Sequence, residues 1–257
     1  MKRTVLLSAL ILLLTGFAQA EFFKTPPFTE GVTYNVAREK STNKPLWASE
    51  IKWGDYVIEG RPTVILAEKG SGIYGKDRMF KTWESASYYR RDGLTLIPEH
   101  SKIIYRDQNG DILRTIETDY DFKARIATVK VDGEEKQFEL REDLIDRQLM
   151  GTALAEYPYE EKRDFIFPMM TSEPRVYMMT VKYAGEESLL IGKQMVPCYK
   201  LQMVPDLGSL NIFASFVPKT FFWYGKAAPH LFMRYEGLES GLGTPYIVIE
   251  RPEASNK

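Results

Sequence analysis

"SKIIYRDQNGDILRTIETD" spans Ser101–Asp119. Two strand-like apolar runs flank Asn109-Gly110, the strongest short-range hairpin signal, because both residues tolerate the positive φ of a type I′ turn. The stretch predicts two antiparallel strands joined by a tight turn. The same pattern extends both ways. Downstream, "ARIATVKVDGEEKQFEL" repeats it around Asp132-Gly133, with Ala127, Val129 and Val131 on one face and Ile126, Thr128 and Lys130 on the other. Upstream, "SASYYRRDGLTLIPE" carries a turn at Arg91-Asp92-Gly93, "YVIEGRPTVILAE" is broken at Gly60 and Pro62, and "GVTYNVAR" alternates from Gly31. Past residue 170, "RVYMMTVKYAGEESLLI" predicts a hairpin at Ala184-Gly185, and "VPCYKLQMVP" predicts another strand. Short strands separated by glycine-containing turns predict an all-β sandwich or barrel. Pairing between sequence neighbours makes the sheet an antiparallel meander. "KPLWASEI" and residues 21–30 read as linker or edge.

One segment departs from the pattern. In "REDLIDRQLMGTALAEYP", Leu144, Ile145, Leu149 and Ala153 recur near helical spacing. This predicts a helix over 142–155, capped by Asp143 and closed by Pro158. Its apolar stripe has to be buried, and a sheet face is the only large apolar surface on offer. The expected fold is mainly β: a curved antiparallel sheet, half-barrel or open barrel, with one amphipathic helix covering a face. A single β-rich domain over 21–257 is expected, with a subdivision near 139–168 as the alternative.

The N-terminus, "MKRTVLLSALILLLTGFAQA", has Lys2 and Arg3, an apolar run, then Ala18-Gln19-Ala20. These are the three parts of a secretory signal, with cleavage expected after Ala20 and a periplasmic destination. The apolar run falls short of the roughly 20 residues of a membrane span, and no later segment reaches that length. Removing a 20-residue leader from the 257-residue chain leaves 237 residues, with 32 basic against 35 acidic. That balance carries no basic excess of the kind nucleic-acid binders show. "ARED", "REDLIDR" and "EEKRD" mix their signs and read as solvated surface.

The residues give little support to catalysis. With one cysteine and two histidines, neither an internal disulfide nor a zinc site of four Cys/His ligands can form, and no metal or cofactor is expected. Cys198 beside His230 would make a dyad on paper. In an alternating strand, though, a lone cysteine reads as a small buried hydrophobe. "GLGTP" and "GSG" (Gly70–Gly72) lack the spacing of a phosphate loop. Paired glutamates such as Glu134-Glu135 and Glu186-Glu187 sit in polar runs. The chain is therefore not expected to be an enzyme.

"FASFVPKTFFWYGKAAPHLFMRYEG" (Phe213–Gly237) is the most aromatic stretch. It predicts two strands, near 219–224 and 230–236, joined by "GKAAP". The concave face of a curved sheet can hold an apolar ligand. The residues expected to line or border such a pocket are Phe222, Trp223, Tyr224, Phe232 and Met233, with Leu144 and Leu149 from the helix.

The order of these pieces resembles the DUF3108 family of exported bacterial proteins. The matching pieces are "GVTYNV", "SASYYRRDGLTLIPEHSKIIYRDQNG", "DFKARIATVKVDG", "REDLIDRQLM", "YMMTVKYAGEESLLIGKQMVPCYKLQMVP" and "KTFFWYGKAAPHLFMRYEG". The resemblance covers about 31–250 and supplies no catalytic residues. It implies a fold related to the LolA/LolB carriers, in which a curved sheet and a lid helix enclose an apolar cavity. Two functional classes follow. One is a periplasmic protein that binds or carries an apolar or amphipathic, lipid-like molecule in envelope maintenance. The other is a structural or partner-binding β scaffold without a ligand, and a hydrolase of envelope material stands third.

Overall fold

The computed structural model describes residues 31–250, apart from 94, 142, 172–174, 207 and 209–217. The expected leader at 1–20 and its cleavage point lie outside the described residues. Eight strands run first: β1 Gly31–Glu39, β2 Pro45–Ile58, β3 Arg61–Tyr74, β4 Met79–Asp92, β5 Thr95–Arg106, β6 Ile112–Asp121, β7 Ile126–Val131 and β8 Glu134–Glu139. The short β9 Ile145–Asp146 leads into a helical segment. That segment comprises a 3-10 turn Arg147–Leu149, α1 Met150–Ala153 and a second 3-10 turn Leu154–Glu156. Six more strands follow: β10 Phe165–Met170, β11 Val176–Ile191, β12 Gln194–Pro205, β13 Thr220–Gly225, β14 Phe232–Leu238 and β15 Tyr246–Glu250.

All fifteen strands of the described residues belong to one sheet, ordered β8-β7-β6-β5-β4-β3-β2-β1-β15-β14-β13-β12-β11-β10-β9. Every pairing is antiparallel except β9 with β10. Strands adjacent in sequence are also adjacent in the sheet, and β1 pairs β15, so the ladder is broken only between β8 and β9. Those two strands are the sheet's edges, yet residues 140–144 alone join them. A chain covers at most about 3.5 Å per residue, so the edges lie within roughly 20 Å of each other. The sheet has to curl round on itself. It forms an open barrel whose seam is filled by side chains rather than ladder bonds. Leu140, Leu144 and Met170 pack there against Ile116, Ala127 and Val129.

Local chemistry explains the turns. Asp132 and Gly133 both take positive φ, 52° and 92°, as a two-residue I′ hairpin requires. The Asn109-Gly110 turn is wider than its dipeptide implies, running over 107–111. The Asp107 carboxylate accepts the amides of Asn109 (2.8 Å) and Asp111 (2.9 Å) and holds the chain in a longer loop. The hairpin expected at Ala184-Gly185 is absent. β11 continues through it with a register shift between Tyr183 and Gly185 and turns only after Ile191. "KPLWASEI" is not a linker. It is the first half of β2, paired on both sides with β1 and β3.

The helix expected over 142–155 is shorter. Ile145 and Asp146 pair with Met169 and Met170 of β10. Asp143 does not cap; Arg141 binds both its oxygens, at 2.9 and 2.7 Å. Asp146 caps instead, accepting the Gln148 amide at 3.1 Å. From there the segment runs inside the barrel. Leu149, Met150, Ala153, Leu154 and Ala155 are all buried, Leu154 completely, in a core shared with Val64, Leu66 and Tyr89 of one wall and Phe167, Val181 and Leu201 of the other. The helical segment therefore covers the concave face from within.

Candidate ligand-binding cavity

The interior is not filled throughout. A cavity of about 1390 Å³ lies between the helical segment and the wall, above the roughly 300–1,000 Å³ of ordinary small-molecule sites. Its lining reaches both ends of the barrel. At one end are Gly31–Thr33 and the loop at Ala228–Leu231; at the other are Arg175, Pro205 and Leu242.

Register decides which side chains face inward. Leu201 pairs with Phe222, and Phe222 with Tyr235, so these three share the inner face of β12–β14. Met179, Met203, Phe222 and Phe232 give this wall an apolar, deformable lining. On the other side, Ser101 pairs with Ser87 and with Thr118. Ser85, Ser101 and Thr118 line the cavity as a patch of hydroxyls across β4–β6.

Trp47, Tyr74, Trp83 and Tyr105 form an aromatic run near the end that holds Glu239. Trp47 meets Trp83 edge-on at 5.6 Å, and Tyr74 stacks on Tyr105 at 5.8 Å. Gly70 makes room for it: a Cβ there would stand 2.1 Å from the Trp83 ring. The "GSG" stretch of β3 thus leaves room for the Trp83 indole at Gly70 and for the β2 backbone at Leu46 and Trp47 beside Gly72. Glu239 anchors the same end, accepting Trp47 Nε1 at 2.8 Å and the Gly75 amide at 2.6 Å. Burial pushes its carboxyl above the usual carboxylate range.

The helical segment brings two charged groups inward. Asp146 is buried and accepts the Tyr89 hydroxyl at 3.1 Å. Burial holds its carboxyl above the ordinary value, against the lowering effect of the Gln148 amide, the Tyr89 hydroxyl and Arg147. Arg147 also lines the cavity. Its guanidinium donates to the Glu239 backbone carbonyl at 3.3 Å and lies against the Tyr74 hydroxyl.

The residues singled out from sequence divide by face. Phe222 and Phe232 line the cavity. Tyr224 also points inward, fully buried, and donates to the Gly151 carbonyl at 2.8 Å, which ties α1 to the wall. Leu149 sits in the core beside it, and Leu144 fills the seam. Trp223 and Met233 are on the outer face with Leu189 and Cys198, where Lys200 and Arg234 lie over the indole at 4.7 and 5.4 Å. Trp47, Trp53, Trp83, Arg147 and the serine patch were not singled out from sequence. Three of the chain's four tryptophans line the cavity.

Cys198 and His230 do not meet. Cys198 is buried on the outer face, whereas His230 packs on the inward rings of Tyr159 and Tyr199 at 4.8 and 5.7 Å. Among the described residues no cluster of three or more His, Cys, Asp or Glu could hold a metal. No helix among them is long and apolar enough to cross a membrane.

An open antiparallel barrel with an internal helical segment defines the structural class. The chain belongs to the family described as "Protein of unknown function (DUF3108)", whose profile matches residues 49–248. A solved structure from Brucella abortus, described as a β-barrel-like protein of domain of unknown function DUF1849, superposes with a TM-score of 0.54. The two chains are 8% identical, and the match covers 87% of this chain and 98% of that one. The hypothetical lipoprotein YmcC of Escherichia coli K12 aligns at 9% identity over 95% of this chain and 92% of its own, with a TM-score of 0.30. No curated protein matches the chain.

Proposed function

We propose that this chain is an exported protein that binds or carries an apolar or amphipathic, lipid-like molecule inside its open barrel, in service of the cell envelope. The observation that carries this reading is the interior cavity of about 1390 Å³ with a methionine and phenylalanine wall. Moving a dozen methylenes from water into such a space is worth ~10 kcal/mol, at ~0.8 kcal/mol each. Association consumes at least ~4 kcal/mol of that, which leaves at most ~6 kcal/mol, or tens of micromolar at the tightest. Export rests on the leader-like N-terminus. The reading also draws on the resemblance to the LolA/LolB class, where a sheet and a helix enclose the cargo.

The test is uptake of an apolar fluorescent probe, N-phenyl-1-naphthylamine, by the mature chain. The probe should brighten on binding and be displaced by dodecanol. Met203→Trp, which fills the apolar wall, should weaken uptake without lowering the melting temperature. Absence of uptake by the folded wild-type chain would overturn the reading.

A further inference from the structure

Resting on that reading, we propose that the cargo's polar end is an anion, a carboxylate or phosphate on an aliphatic chain, and that Arg147 is the residue that receives it. The guanidinium stands in an unusual place. Solvent can reach it, yet strands surround the segment that carries it, so its exposure is to cavity space. Guanidinium offers five N–H donors in a planar fork suited to carboxylate and phosphate. Among the described residues it donates to the backbone carbonyl of Glu239 and meets the Tyr74 hydroxyl, both neutral groups. No carboxylate of a described residue pairs with it. The phenols of Tyr74, Tyr105 and Tyr235 are its neighbours, and the Asp146 and Glu239 carboxyls feel its charge from beyond ion-pair distance. A charge withdrawn from bulk water is costly unless paired, and this guanidinium lines the cavity with no ion pair to a described carboxylate.

The other charged groups lining the cavity do not supply the missing partner. Asp146 is engaged by Tyr89 and by the Gln148 amide, and Glu239 by Trp47 and Gly75. Glu68 lines the cavity and opposes Arg147 in its effect on the Tyr105 hydroxyl, but the two side chains form no ion pair. Lys76, Arg175 and His230 complete the set and add no acidic group. The chain of the cargo then has the methionine and phenylalanine wall to lie against, with its anionic end at the aromatic collar of Tyr74 and Tyr105. This gives the cavity a polar pole and an apolar pole, the pattern of an amphiphile.

The experiment compares four probes of equal chain length on the mature wild-type chain: dodecanoate, dodecyl phosphate, dodecanol and dodecyltrimethylammonium, each displacing N-phenyl-1-naphthylamine. A charge-assisted hydrogen bond predicts that the two anions bind roughly tenfold more tightly than the alcohol, and the cation more weakly than either anion. Inorganic phosphate and acetate should displace nothing; displacement by either at the dodecyl-anion concentrations would make the site one for free anions and overturn the amphiphile assignment. In Arg147→Gln the anion-over-alcohol preference should vanish, and Arg147→Lys should restore part of it. Equal affinity for dodecanoate and dodecanol in the wild-type chain, or a preference that survives Arg147→Gln, would overturn the assignment to Arg147 and leave the cavity reading standing. Failure of all four to displace a bound probe, or of the probe to bind, would remove both. The wild-type comparison decides the matter even if a variant fails to fold.

Discussion

Replacing Gly70 with alanine tests whether the interior is built as described. The backbone there is ordinary, so no φ strain arises; the effect comes from space alone. The new Cβ would lie 2.1 and 2.2 Å from two atoms of the Trp83 ring, where ordinary contact begins near 3.4 Å. The indole has to move by roughly 1 Å or more, and it is held by Trp47 at 5.6 Å and Tyr74 at 5.2 Å. Overpacking of this kind costs about 1–3 kcal/mol, a fall in melting temperature of roughly 2–10 °C for a chain of this length. The ring's free direction is the cavity, so probe uptake should weaken as well. Gly151→Ala is the matched control. It adds the same methyl group inside α1 with nothing within 4 Å, and helix propensity should stabilise it by up to about 1 kcal/mol. Thermal melts of both variants, with probe titrations alongside, decide the matter. A Gly70→Ala protein as stable as wild type, with full probe uptake, would refute this account of the β3–β4 wall.

Three further outcomes are expected. Leu154→Ala, which empties the most buried position of the internal segment, should cost about 2–5 kcal/mol in denaturant unfolding; a loss under 1 kcal/mol would mean the segment does not pack inside the barrel. Cys198→Ala should cost about 1 kcal/mol and leave probe binding unchanged, since the thiol sits on the outer face with its pKa raised by burial; lost binding in a folded Cys198→Ala protein would contradict that placement. Asp146 holds its proton more tightly in the folded than in the unfolded chain. Its contribution to stability is therefore most favourable below the ordinary value of 3.8 and declines as pH rises from there toward the folded pKa. Relative to wild type, Asp146→Asn should gain stability between pH 4 and neutrality, and a relative loss over that range would reverse the sign of the argument.

Much of the fold is legible because strand alternation and turn chemistry are local. Asp132-Gly133 and the runs beside it specify a hairpin without help from the rest of the chain. β2 was harder to read. Its inward residues Trp47, Ile51 and Trp53 do alternate, but Pro45 and Gly54 punctuate them, and its pairing with β1 and β3 is what makes it a strand. Gly185 reads as a turn residue, and only the long partner β12 shows that it is a bulge.

The site was less legible for a physical reason. "REDLIDR" mixes its signs as a solvated surface does, and a helix stripe argument assigns Asp146 and Arg147 to the wet side. Inside a barrel a helical segment has no wet side, so its polar residues face a cavity. One signal was present: from Gln148 to Ala155 the sequence is "QLMGTALA", eight positions without a charge, as a segment buried all round requires. Trp223 and Phe222 illustrate the opposite case. Alternation separates them onto two faces, but which face is concave depends on how β12, β13 and β14 curl.

Native mass spectrometry of the protein, purified from its own host without detergent, tests the central claim most directly. The account predicts a complex heavier than the chain by the mass of an acyl-chain amphiphile, released on denaturation and recovered in negative-ion mode as an anion. A folded protein found only at its bare chain mass, and still refusing dodecanoate when it is added, would contradict it.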